Sequence, residues 1–132
     1  MDTDDDYPDA AKRHLHDAQW LLAQARLANA SHLSGLSAEC ALKAIAKAKR
    51  FDGTKKVHIP GIFSELQNLS SVGAGNPDLV SKIAALQTKF ADWNVNQRYA
   101  PQNKFTIART SEECAGAHAA CQLMTNYGEG VV

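Results

Sequence analysis

Small and apolar residues recur along this chain at three- and four-residue intervals, a pattern that predicts helices and almost no strand. Leu15, Ala18, Leu22 and Ala25 form one such stripe. Tyr7 and Pro8, with Asp5, Asp6 and Asp9 around them, suit a first turn, so a first helix is expected to run to about Leu27. Asn29 and Ser31 stand where the chain breaks and is capped again, and Leu33, Leu36, Cys40, Ala44 and Ala48 carry a second stripe to about Lys49. The short connection makes these two helices antiparallel. "RFDGTKKVHIPG" reads as a loop, "IFSELQNL" as a short third helix and "SSVGAGNP" as another break. Asn76 and Pro77 then cap and open a fourth helix through Phe90. Thr110 and Glu113 make a capping-box pattern for a last helix through about Tyr127, whose buried stripe is Cys114, Ala117, Cys121 and Met124. The expected fold is all-α, an antiparallel bundle of four to five helices. An acidic tail occupies residues 1–7 and a single domain residues 8–132.

Composition narrows the function classes. At 132 residues the chain is long enough to bury a core without staples. The formal net charge is zero, so the chain lacks the overall field that draws a protein onto duplex DNA. Charge is nevertheless uneven: Lys43, Lys47, Lys49, Arg50, Lys55 and Lys56 crowd one segment, and Lys89, Arg98, Lys104 and Arg109 form a second group. Either group suits phosphate contacts or a solvated helix end. Three cysteines without a CxxC pair fit reduced thiols, and with no apolar run near 18 residues and an acidic amino terminus, a cytoplasmic chain without a membrane span is expected.

"ANASHLSGLSAECALKAIAKA", then "VHIPGIFSEL", then "FADWNVNQRYA" resemble the HEPN family, the "higher eukaryotes and prokaryotes nucleotide-binding" domains, over roughly residues 8 to 127. The resemblance implies a small helical bundle that pairs as a homodimer. Many members are metal-independent ribonucleases; others bind nucleotides or act as scaffolds, commonly in toxin–antitoxin and defence systems. It therefore implies RNA or a nucleotide as ligand, and a cognate antitoxin or nucleotidyltransferase as partner. The family's active motif is an arginine followed after four to six residues by a histidine. Arg98 matches the arginine by position, but the window after it holds Lys104 and no histidine. The expected function is a HEPN-type module that binds RNA, a nucleotide or a partner protein without an intact ribonuclease motif. The alternative is a metal-independent endoribonuclease with a rearranged site around Arg98, using His32, Glu39 or Lys104 beside it.

The residue chemistry bears on both. Attack of an RNA 2′-hydroxyl on the adjacent phosphate needs a proton carrier near pH 7, which histidine supplies, and a fixed cation, which arginine supplies. Lysine, with an ordinary pKa of about 10.4, is better suited to gripping a phosphate than to moving its protons. Arg98, Lys104 and Lys43 are thus the candidate phosphate contacts. Tyr99 and Trp93 are candidate stacking surfaces for a base, with Asn94, Asn96, Gln97 and Asn103 beside them to read its edge. The other reading makes Trp93 and Tyr99 core plugs and pairs Arg98 with Asp92 or Glu39. Arg26 and His32 do meet the arginine-to-histidine spacing, but at the turn between the first two helices. His32, Gly35, Glu39 and Lys43 share one helical face. If that face meets the Arg98 loop, His32 or Glu39 becomes the proton-transfer group; otherwise it is a polar stripe with an i,i+4 pair between Glu39 and Lys43. No cofactor motif or metal site is expected: His14 and His16 lie on different sides of a helix, and Cys114, His118 and Cys121, though at helical spacing for a trio, fit core packing of the cysteines better.

Overall fold

A computed structural model describes residues 6–48, 57–67 and 77–127. Among these residues the protein is all-α, with five α-helices and no strand. The helices are α1 (Tyr7–Ala23), α2 (Leu27–Ala48), α3 (Gly61–Gln67), α4 (Pro77–Lys89) and α5 (Ile107–Tyr127). Two short 3-10 turns, Val95–Tyr99 and Gln102–Lys104, interrupt the connection between α4 and α5. No described helix is long and apolar enough to cross a membrane.

Side-chain contacts fix the directions of the helices. Ser37 of α2 donates to the carbonyl of Ala11 at 2.7 Å, as a helix returning alongside α1 must. Ser31 meets Glu113 and Ser37 meets Cys121, so α2 and α5 run parallel, while the Lys89–Glu112 pair and the Tyr127–Asp78 contact make α4 antiparallel to α5. The antiparallel arrangement thus holds between α1 and α2 and between α4 and α5. It does not hold between α2 and α5, because α4 carries the chain back to the end where α2 begins.

α2 is central, and this moves its buried face. Ala30, Ser34, Ala38, Ala41, Leu42 and Ile45 are buried, whereas Leu33, Leu36 and Cys40 are half-buried and Ala48 is exposed. A helix enclosed on several sides does not confine its apolar residues to one stripe. Alanines at Ala11, Ala18, Ala38 and Ala41 let α1 and α2 approach closely, and of the buried serines Ser34 satisfies itself locally, donating to the Ala30 carbonyl at 2.7 Å, while Ser31 and Ser37 bond to neighbouring helices. The last helix follows its sequence pattern: Cys114, Ala117, Cys121 and Met124 are all buried. Phe63 and Phe90 stack beneath them at 6.3 Å.

Three helix boundaries differ from the sequence pattern, each for a local reason. α1 stops at Ala23 because Ala25 takes the left-handed conformation, φ 57°, with Arg26 N–H bonded to the Leu21 carbonyl and Ala25 N–H to that of Leu22. That is a Schellman end with alanine where glycine is usual. α2 therefore begins at Leu27, before Asn29 and Ser31 can cap it. α5 begins a turn before Thr110, because Thr106 is its cap: the Thr106 hydroxyl accepts from Arg109 N–H at 3.1 Å. Asn76, the expected cap of α4, lies outside the described residues.

Ala25→Gly removes a side chain from a left-handed position at the cost of a floppier unfolded chain. The expected outcome is a gain of about 0.5–1 kcal/mol, read from the urea midpoint at constant m-value.

Candidate functional site

The connection from Phe90 to Thr106 is seated on α2 by one buried polar cluster. Trp93 lies across the backbone of Gly35; a Cβ there would sit 1.9 Å from the indole Cε2. The indole N–H donates to the Ser31 carbonyl at 2.8 Å, and His32 stacks on the ring at 5.9 Å with planes 13° apart. Gln97 donates its amide N–H to the Ser31 hydroxyl at 2.7 Å, and that hydroxyl donates to Glu113 Oε1 at 2.5 Å. Arg109 closes the ring of contacts. Its Nε donates to Glu113 Oε2 at 3.0 Å, while Nη2 donates to Gln97 Oε1 at 2.6 Å and to the Asp92 carbonyl at 3.1 Å. Farther along, Gln102 Oε1 accepts from Ala28 N–H at 3.2 Å, satisfying an otherwise open donor in the first turn of α2. Asn94 caps the first 3-10 turn, accepting from Asn96 N–H at 2.8 Å.

Burial pushes the Glu113 carboxyl above its ordinary value, and the bonds from Ser31 and Arg109 pull against that rise. Each hydrogen bond to a charged group is worth about 1.5–3 kcal/mol, against about 0.5–1.5 for a neutral pair, so Glu113 and Arg109 dominate the cluster. Glu113 was not a sequence candidate for a site, and Arg109 entered only as a member of the second basic group. Their i,i+4 spacing was the available signal, and the capping-box pattern at Thr110 and Glu113 claimed it first.

This bracing divides the expected site residues into two sets. Arg98 and Tyr99 face outward: Tyr99 is 77% exposed, and the Arg98 guanidinium lies 4.7 Å from its ring centroid. Arg98 makes no ion pair among the described residues; Nη1 reaches only the Val95 carbonyl, at 3.4 Å. Arg109, rather than Arg98, engages Asp92 and a buried carboxylate. Lys104 and Asn103 are exposed on the second 3-10 turn. Trp93, a candidate stacking surface, is 2% exposed and covered by His32 and Gly35, so no base reaches it. Gln97 spends both ends of its amide inside the cluster and has no edge free to read a base.

Of the face on α2 that carries His32, Gly35, Glu39 and Lys43, His32 and Gly35 meet the loop, and His32 alone brings a side chain able to move a proton there. Its pKa is lowered, first by burial and then by the charges of Arg98 and His14, with Glu39 opposing. His14 on α1 is lowered by burial and by Arg13, with Asp17 opposing. The Nδ1 atoms of both rings are out of contact with water and have no hydrogen-bond partner among the described residues. Two neutral imidazoles therefore sit within electrostatic reach of one another, and one within reach of an exposed guanidinium. Glu39 points elsewhere. It is 4% exposed, forms the expected i,i+4 pair with Lys43 at 3.3 Å, and accepts from Ile59 N–H at 3.0 Å, with His58 Nδ1 at 3.1 Å. Lys43 is 7% exposed in that pair, so neither Glu39 nor Lys43 stands at the Arg98 loop as a proton carrier or phosphate contact. Of the rest of its basic segment, Lys47 is exposed in the last turn of α2, and Lys49, Arg50, Lys55 and Lys56 lie outside the described residues. His118 is exposed while Cys114 and Cys121 are buried, so that trio does not converge.

Gly35→Ala is expected to unseat Trp93, since the new methyl cannot share space with the indole; the loss is about 3 kcal/mol, with a red-shifted indole emission in a Trp20→Phe background. His14 and His32 also set an acid limit. Both hold their protons less tightly folded than unfolded, so their contribution is complete above the ordinary pKa of 6.5 and is lost as pH falls below it. Glu113 has the opposite slope, its contribution declining as pH rises from 4.5. Urea midpoints between about pH 7.5 and 5.5 are expected to drop in wild type and to drop less in His32→Gln.

No protein-family model, curated protein or solved structure matches this chain.

Proposed function

We propose that this protein is a cytoplasmic HEPN-type module that binds RNA or a nucleotide through the Arg98–Tyr99 turn. On this reading it works as a homodimer, with a cognate antitoxin or nucleotidyltransferase as partner in a toxin–antitoxin or defence system. The observation that carries the ligand is the contrast within seven residues: Trp93 and Gln97 are locked down, and Arg98 and Tyr99 are held out. A guanidinium without a competing carboxylate grips a phosphate bidentately, and an exposed phenol ring stacks on a base. The anchored turn restricts both groups before ligand arrives, so less ordering is paid for on binding.

One observation favours the ribonuclease alternative. His32 supplies near Arg98 the imidazole that the linear motif lacks, and burial keeps it unprotonated at neutral pH. In that reaction His32 takes the proton of the 2′-hydroxyl as its oxygen attacks phosphorus, the P–O5′ bond breaks to leave a 2′,3′-cyclic phosphate, and the departing 5′-oxygen takes a proton from solvent, while Arg98 stabilises the charge gathering on the phosphoryl oxygens.

Fluorescence anisotropy with a labelled single-stranded RNA across a salt series tests the binding reading. Arg98→Ala is expected to weaken binding about tenfold and to lower the salt slope by about one, and Tyr99→Ala to weaken it with the slope unchanged. Binding indifferent to both substitutions removes this site. Cleavage of the same RNA by wild type, lost in Arg98→Ala and His32→Ala, favours the enzyme; intact RNA with binding retained leaves the non-catalytic module.

A further inference from the structure

A groove of about 310 Å³ lies between α4 and α5, and none of its lining residues belongs to the Arg98 turn or to its cluster on α2. Leu86 of α4 and Leu123 of α5 form its apolar bed, and Ala85 and Ala119 keep it open because nothing larger than a methyl group projects from them. Lys82 and Lys89 stand along one rim, and no carboxylate is among the lining residues. The two lysines are seven residues apart on one helix, two turns, or about 10 Å along the axis. Each already has an acid, Asp78 one turn along α4 for Lys82 and Glu112 on α5 for Lys89, but these surface pairs are largely exposed and weak, so an incoming carboxylate competes with them.

We infer that this groove docks an acidic amphipathic helix of a partner protein, with apolar side chains on Leu86 and Leu123 and two carboxylates seven residues apart on Lys82 and Lys89. The spacing selects this occupant. Positions i, i+3, i+4 and i+7 of a helix share one face, so two acids at its ends can bracket two apolar residues over the bed. A fatty acid has one anionic head and leaves the second lysine unused. The groove is also at the lower limit of ligand clefts, roughly 300–1,000 Å³, and too open to enclose a small molecule on all sides. Gln122 and Asn126, on the opposite rim, offer amides to polar groups flanking the apolar teeth. The inference is independent of the RNA reading, since no groove residue belongs to the loop.

The test uses the full chain and a labelled synthetic helical peptide carrying leucines at i+3 and i+4 between glutamates at i and i+7. Binding by wild type that weakens with salt is expected, together with a loss of tenfold or more in Lys82→Glu/Lys89→Glu. A peptide with lysines in place of its glutamates is expected to recover binding to that double variant. Ala119→Glu, a change at an exposed position, is expected to block the groove while the helical circular dichroism is retained. Three results overturn the inference: no peptide binding at millimolar concentration, binding indifferent to the charge reversal, or full displacement by decanoate. A wild-type chain that self-associates in sedimentation and becomes monomeric as Ala119→Glu also overturns it, because the groove is then occupied by a second copy.

Discussion

Ser31 is the point on which the loop depends. Its carbonyl receives the indole N–H of Trp93, and its hydroxyl receives Gln97 while donating to Glu113. One small residue thus joins α2, α5 and the long connection between α4 and α5, elements separated by some 60 to 80 positions in sequence. A hydroxyl serves because it donates and accepts at once, and its size leaves room for the indole beside Gly35. A residue able only to accept would face Glu113 with like polarity.

The cluster costs stability to place. A carboxylate 1% exposed resists ionisation, and a buried ion pair rarely stabilises more than well-packed apolar residues of the same volume. Its consequence is position rather than net energy. Arg109 engages Glu113, Gln97 and the Asp92 carbonyl together, so the loop has one seating in which this guanidinium and carboxylate are both matched. A shift of one residue along α5 would leave a guanidinium and a carboxylate buried and unmatched. The exposed residues inherit this definition, which is why Arg98 and Tyr99 have a fixed outward bearing although their own side chains contact little.

The same arrangement separates two surfaces. One lies where the loop crosses α2, with a guanidinium, a phenol ring and a half-buried histidine. The other runs between α4 and α5, where alanines thin the packing and lysines line a rim. Neither requires the other's residues, so the two proposed contacts, one with nucleic acid and one with a protein helix, are compatible on one small bundle.

The sequence by itself determined the all-α class, the approximate extent of each helix, the buried stripe of α5 and the distinctness of the segment from Trp93 to Phe105. These follow from local rules, spacing and capping, that operate within a few residues. It also marked Arg98, Tyr99 and Lys104, which the fold leaves exposed. Tertiary structure decided the rest. Trp93 and Arg98 have similar claims on a ligand in the linear pattern, yet one is sealed against α2 and the other faces solvent. Glu39 and His32 share a helical face, yet only His32 meets the loop, because Glu39 is drawn to Lys43 and the backbone of Ile59. Arg109 and Glu113 looked like a helix end and proved to be the brace. In each case the deciding partner lies on another helix, and a buried polar group goes to whichever partner satisfies it, a choice that spacing along one chain cannot express.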